Sequence, residues 1–224
     1  MIRLHHCHQT RSMRTLWLLH ELEVPFEVVL YPFDGTLRGD AYAAVNPLGR
    51  VPSLEIDGEV MTESGAIAEY LCERFPDAGL GRVPGDPDRM DWLIWLHFAE
   101  TVSQHAAALT QQHIALYDDA MRSPVVMKLE ARRLAKCFER IEQRLSTPIE
   151  NRDHLLTSGF SAADIGVGQA VYMGRHFVLL DPYPEVRAWL DRMAERPAFQ
   201  ASLPPEGAEN LLYDRDFYPE WEMS

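Results

Sequence analysis

Residues 46–71 read NPLGRVPSLEIDGEVMTESGAIAEYL, and two features of this run restrict what it can build. Pro52 heads the apolar run VPSLEI. A strand interior needs a backbone donor at each position, so a proline is tolerated only where a strand starts, at an edge or at a turn. With a cis Val51-Pro52 bond, the N–H and C=O of Val51 would turn outward and stay open to another extended backbone; a trans proline opening an edge strand is the alternative that Pro52 alone leaves standing. Past the hairpin signal Asp57-Gly58, Glu63 and Ser64 open the helical run GAIAEYLCERF. Ser64 is a good N-cap, and a helix N-terminus with a hydroxyl is an anion site. Glu63 beside it can accept from an ammonium. The pair therefore suits the two charges of an α-amino acid head group, or, standing alone, is a cap next to a surface acid.

The surrounding pattern places this run in a small mixed sheet. MIRLHH reads as a strand, polar CHQTRS as a loop, and SMRTLWLLHELE as a helix with Leu16, Leu19 and Leu22 at helical spacing. Pro25 stops it, FEVVLYPF is a second strand, and RGDAYAAVN is a short helix ended by Pro47. The order βαβαββα fills residues 1–76. Residues 77–87, within PDAGLGRVPGDPD, have the Pro, Gly and Asp content of a linker. Residues 88–203 are helical throughout, with apolar positions three and four apart in RMDWLIWLHFAETVSQHAAALTQQHIALY, SPVVMKLEARRLAKCFERIEQRLS, SAADIGVGQAVYMGRHFVL and YPEVRAWLDRMAERPAF. Residues 204–224 form a tail in which Tyr213, Phe217, Tyr218 and Trp221 are too many rings for a disordered end, so the tail is expected to pack.

Composition removes several classes of function. A net charge of −13 with no dense Lys/Arg cluster repels nucleic acid and anionic lipid. No apolar run reaches the roughly 18–20 residues that span a bilayer, and the N-terminal residues have neither an apolar core nor a cleavage signal, which points to the cytoplasm. Cys7, Cys72 and Cys137 are odd in number and far apart, so they suggest no disulfide framework or zinc site. HHCH at residues 5–8 would bring only His6 and His8 to one face of a strand, too few for a metal.

VPSL followed about ten residues later by ESGAIAEYL resembles the glutathione-binding half of the cytosolic glutathione transferases, and HQTRSMRTLWLLHELEVPFEVV is similar to the opening strand, loop and helix of many bacterial members. SGFSAADIGVGQA resembles the N-capping box of the family's helical domain, in which Ser161 caps the helix, Asp164 returns to the Ser161 backbone and Phe160 staples the entry. YPEVRAWLDRMAERPAFQAS is similar to the family's last long helix. The resemblance implies a thioredoxin-like α/β N-terminal domain followed by an all-α domain. It also implies a cis Pro52, Val51 pairing with the cysteinyl part of glutathione, Glu63 and Ser64 holding the γ-glutamyl head, and Arg50 near the glycine carboxylate.

Glutathione chemistry needs a thiolate, and a free thiol with pKa near 8.5 is mostly protonated at neutral pH. A hydroxyl donor at the start of the first helix stabilises the anion. In theta-like members this is a serine four residues before an arginine. Counting back from Arg14 gives Thr10; Ser12 is the second candidate, with the N-cap of its helix as its plain role. Cys7 sits too near the strand for the cysteine-containing classes. The resemblance implies conjugation of glutathione, as co-substrate, to a small hydrophobic electrophile by a homodimer. Trp92, Trp95, Phe98 and His105 share a helix face that would line a second pocket or the core. The alternatives on the same fold are a glutathione-dependent disulfide reductase or peroxidase, and a non-enzymatic glutathione-binding protein.

Overall fold

The first strand, β1 (Ile2–His6), is central to a four-stranded sheet of order β2-β1-β3-β4. β2 (Phe26–Leu30) runs parallel to β1, β3 (Ser53–Ile56) antiparallel to it, and β4 (Glu59–Thr62) antiparallel to β3. The parallel pairing follows from the intervening helix α1 (Ser12–Glu21), the antiparallel one from the tight turn at Asp57 and Gly58, both at positive φ. The computed structural model describes residues 1–147, 152–209 and 211–218, and within them the chain divides into two compact units: 1–83 with 194–212, and 84–193 with the chain from Tyr213 on.

In the first unit, α1 and α3 (Ser64–Arg74) bury Leu16, Leu18, Leu19, Ile67 and Leu71 together with Leu4 and Leu54 of the sheet. The stretch expected as one short helix, RGDAYAAVN, is a 3₁₀ turn at Thr36–Arg38 and a single turn, α2 (Asp40–Ala43). The unit is completed from far along the chain by α8 (Pro197–Ser202): Phe199 meets Trp17 edge to face at 4.9 Å, and the Arg196 guanidinium grips the Glu21 carboxylate through Nε at 2.6 Å and Nη2 at 2.8 Å. Here the structure departs from the sequence reading. YPEVRAWLDRMAERPAF is two helices, α7 (Pro184–Ala194) and α8, because Pro197 has no N–H and pushes Arg196 to extended φ −69, ψ 131. The first unit therefore takes up residues 194–203, which the sequence reading grouped with the helical domain.

The second unit is all helical: α4 (Arg89–Thr110), a π-helical turn at Gln111–Ala115, α5 (Pro124–Ser146), α6 (Ala162–Gly174) and α7. α6 is buried on nearly every side. Gly166 lets it approach α4, where a Cβ would lie 3.1 Å from that of Ala99. Its N-terminus carries the expected box: Ser161 Oγ accepts from Ala163 N at 3.2 Å, and Ser161 N donates to Asp164 Oδ2 at 3.0 Å. The fully buried Asp164 also accepts from Leu155 N at 2.9 Å and Trp189 Nε1 at 3.2 Å. The tail packs on this unit: Tyr213 stacks on His176 at 4.7 Å and its hydroxyl lies 2.8 Å from Thr110 Oγ1, while Phe217 N donates to His176 O at 2.6 Å. Tyr218 donates to Asp216; Trp221 lies outside the described residues.

Candidate functional site

Strand register decides which parts of the first unit meet. His5 is opposite Ser53 and Ser53 is opposite Thr62. The end of β1, the start of β3 and the end of β4 thus share one edge of the sheet, and from it emerge the loop carrying Thr10, the Val51-Pro52 bond and the Glu63-Ser64 entry to α3. The register brings all the sequence-predicted binding residues to that edge.

The Val51-Pro52 bond is cis. Ahead of it the Arg50 carbonyl is fixed from two sides, accepting from Tyr42 Oη at 2.7 Å and Asn46 Nδ2 at 2.9 Å. Both donors also reach Ser53 Oγ, at 2.9 and 3.4 Å. Asn46 in addition accepts from Leu48 N at 3.0 Å, the turn that an Asn-Pro pair signals. Tyr42, Asn46 and Ser53 are buried, whereas the Arg50 side chain is exposed and Val51 half-buried. Sequence reasoning missed these three supports; Asn46-Pro47 was the signal that could have found one of them.

Glu63 stands at φ 68, ψ 107, a left-handed conformation that costs a non-glycine residue roughly 1–3 kcal/mol. It turns the chain from β4 straight into α3. Its carbonyl accepts from Ile67 N at 2.9 Å, so Glu63 is the N-cap and Ser64 the first helical residue, a correction to the expectation that Ser64 caps the helix. No side chain caps α3 and its first turn holds no acid. Glu63 is exposed, while Ser64 is buried with its Oγ 3.5 Å from Nη1 of Arg14. Arg14 is itself buried; an amphipathic pattern assigns an arginine to solvent, and nothing in the sequence marked this one as facing α3.

At α1 the structure makes a similar correction. Ser12 is the first helical residue behind Arg11, and its hydroxyl turns away from the helix. Ser12 Oγ accepts from Cys7 N at 3.2 Å and lies 2.8 Å from His6 Nδ1 and 2.8 Å from Thr10 Oγ1. Gln9, at φ 53, folds the loop back so that these groups meet. Thr10 Oγ1 donates to Cys7 O at 2.7 Å and accepts from Ser12 N at 3.3 Å. Ser12 is fully buried and Thr10 half-buried, so Thr10 is the outer hydroxyl and Ser12 stands behind it.

Burial pushes the Cys7 thiol up to about 11, Cys72 to about 12 and Cys137 to about 11, and all three are buried. None has the exposed, low-pKa character of a reactive thiol. Burial, helped by the neighbouring His8, lowers His6 to about 3, so its imidazole is neutral. In the second unit, Trp92 and Trp95 are core residues, with Arg140 5.3 Å over Trp95 and 5.2 Å over Phe98. His105 Nδ1 pairs with Glu130 at 2.7 Å.

Residues 10–74 match the model of the glutathione S-transferase N-terminal domain, and residues 113–197 that of the glutathione S-transferase C-terminal domain. The chain belongs to the glutathione S-transferase family. Relatives include glutathione S-transferase 3 of Schizosaccharomyces pombe, 26% identical with 88% of this chain and 85% of that protein covered, and protein LigF of a Sphingobium species, 29% identical over 90% and 92%. Among solved structures, a sphingomonad glutathione S-transferase complexed with glutathione is 27% identical and superposes with a TM-score of 0.74 over 90% of this chain and 96% of that one. The thioredoxin-like α/β unit and the all-helical unit are those of the glutathione transferase fold. Among the described residues no helix is long and apolar enough to cross a membrane.

Proposed function

We propose that this glutathione S-transferase family member binds glutathione along the sheet edge described above and transfers its thiolate to the electrophilic carbon of a small hydrophobic molecule. The observation that carries the reading is the pair of stacked hydroxyls at α1: Thr10 half-buried, with Ser12 fixed behind it by Cys7 N. A hydroxyl donor aimed at a developing anion beside an N-terminal helix end lowers the barrier to thiolate chemistry. The backbone of Val51, before the cis proline, is the pairing edge for the cysteinyl residue. Glu63 and Ser64 take the γ-glutamyl ammonium and carboxylate, with Arg14 adding positive charge behind Ser64. Arg50 is placed toward the glycine carboxylate.

The glutathione-bound sphingomonad relative supports the ligand. The buried, high-pKa state of every cysteine disfavours a disulfide reductase working through its own thiol. The protein acts as a cytoplasmic homodimer in detoxification on this reading; exposed Val60 on β4 and Met90 and Ile94 on α4 are apolar side chains that a second copy would cover.

The test is calorimetric titration with glutathione, followed by turnover with an aryl halide, an organic hydroperoxide and a mixed disulfide. Conjugation of the aryl halide should dominate. Disulfide turnover above conjugation would replace the proposal by a reductase, and micromolar binding without any turnover by a carrier. Light scattering should find a dimer; a monomer independent of concentration would remove that part.

A further inference from the structure

Residues 31–50 lead to the Arg50 carbonyl, and so to the Val51 backbone edge of the proposed glutathione site, yet they have almost no core of their own. All of them are described, and only Tyr42 and Asn46 among them are buried. α2 is a single turn without a side-chain cap, and Tyr42 is its one buried residue. One turn of helix does not hold itself in water. Gly49, at φ 61, comes so close to the 3₁₀ turn that a Cβ on it would lie 2.8 Å from Leu37 O. The 3₁₀ turn, α2 and the turn to Arg50 are therefore packed as one piece, and the Tyr42 ring seats that piece on the sheet.

The seat is built around His5, which is 4% exposed and leaves β1 on the face opposite Leu4. His5 Nε2 lies 2.8 Å from Glu55 Oε1, while Glu55 Oε2 accepts from Arg3 Nη1 at 3.2 Å and Arg3 Nε donates to Glu27 at 3.1 Å. A carboxylate only accepts, so the imidazole carries its proton on Nε2, and its bare Nδ1 accepts from Tyr31 Oη at 2.8 Å. The His5 and Tyr31 rings are 5.8 Å apart, and both meet the Tyr42 ring, at 5.7 Å and 4.9 Å. At the far end of that ring the Tyr42 hydroxyl donates its proton to Arg50 O at 2.7 Å and accepts from Ser53 Oγ at 2.9 Å. Burial raises the pKa of both phenols, so each keeps the proton it donates.

We infer that His5 is a positioning residue for glutathione: held between Glu55 and Tyr31, it fixes the Tyr42 ring, and the Tyr42 hydroxyl fixes the Arg50 carbonyl and with it the Val51 backbone that takes the cysteinyl residue. The inference rests on the reading of Val51 as that pairing edge. His5 acts on how well the edge is formed before glutathione arrives. Pre-organisation of this kind enters the affinity and leaves the reaction of the bound thiol alone.

If His5 only filled the space under α2, its replacement would lower stability and leave the share of affinity owed to the Tyr42 hydroxyl untouched. A double-mutant cycle separates the two roles, read by calorimetric titration with glutathione and by KM and kcat with an aryl halide. Tyr42→Phe keeps the ring in its seat without the hydroxyl, and His5→Phe keeps a ring without the two hydrogen bonds. Each should weaken glutathione binding about tenfold and raise its KM by the same factor, with kcat within about twofold of wild type. Acting in series, the two changes together should cost about tenfold rather than the roughly hundredfold of independent sites. Additive losses, or a fall in kcat at unchanged KM, would overturn the role of His5. Weaker binding in Ser64→Ala with wild-type binding in His5→Phe would overturn the positioning alone. Wild-type binding in Ser64→Ala, Tyr42→Phe and His5→Phe alike would overturn the sheet-edge reading and the positioning with it. Should His5→Phe fail to fold, Tyr31→Phe, at a half-buried position, removes the Tyr31–His5 hydrogen bond and decides by the same cycle.

Discussion

Two serines, Ser12 and Ser161, stand at helix N-termini with no exposed surface, and they are used in opposite ways. Ser161 turns its hydroxyl onto its own helix, and Asp164 closes the end of α6 with a carboxylate held by three N–H donors. Ser12 turns away, onto Cys7 N and His6; the N-cap residue of α1, Arg11, makes no side-chain cap, and the first turn holds no acid. The start of α3 is likewise without a side-chain cap or an acid in its first turn. At α6 the positive end of the helix dipole is met by the protein's own Asp164 carboxylate. At α1 and α3, the two helices that open on the sheet edge, no acid in the first turn does so. The residue type is the same; the partner that holds the hydroxyl decides its use.

The comparison breaks most visibly through Asp164→Ala, which strands three buried donors and should cost roughly 3 kcal/mol or more of stability. Urea unfolding reads it, and the glutathione affinity of the folded fraction should stay near wild type. If affinity falls with stability, the two helix ends are not independent.

At the open ends the loss should fall on the ligand instead. Ser64→Ala is expected to weaken glutathione binding by about 1–3 kcal/mol, the usual size for a hydrogen bond to a charged group, with melting shifted little. Calorimetric titration checks this, and an unchanged affinity would remove Ser64 from the head-group site.

His6 sharpens the contrast through pH. Its folded pKa, about 3, is below the ordinary 6.5, so the unfolded chain binds a proton that the folded one refuses between those values. The stabilising contribution is complete above pH 6.5 and is lost as pH falls toward 3, at up to about 1.4 kcal/mol per pH unit. His6→Asn should flatten the acid limb of the stability curve by that one proton. Equal slopes in the two proteins between pH 6 and pH 5 would mean that His6 is protonated in the folded state.

The smallest effect has the opposite sign. Glu63→Gly should raise stability by about 1 kcal/mol, the strain relieved at φ 68 less the added freedom of the unfolded chain. It should lower glutathione affinity at the same time. A destabilised variant would show that the Glu63 side chain contributes more to the fold than its backbone conformation costs.

The sequence carried the chain order βαβαββα, the box at Ser161 and Asp164, and the hairpin that follows Pro52, because each is a local pattern of spacing or turn chemistry. It misplaced both serines at the site. Capping preference is a statement about a residue and its own helix, whereas Ser12 is held by Cys7 and His6 across a loop bent at Gln9, and Ser64 follows a residue forced into the left-handed region. Arg14 and His6 were illegible for the same reason. Burying a charge or an imidazole is decided by what the other elements bring to it, and no periodicity records that.

The return of α8 to α1, through Phe199 on Trp17 and Arg196 on Glu21, has a consequence for synthesis. A ribosome finishes the sheet and α3 well before it makes α8. During the roughly 120 residues between Arg74 and Pro197, translated at about 5–20 residues per second, the nascent first unit holds Trp17 without its ring partner and Glu21 without its guanidinium. An N-terminal half expressed alone keeps that unfinished face permanently. Cutting the gene at the linker therefore yields a fragment that needs residues 194–212 supplied in trans, and a peptide of that sequence should restore its solubility.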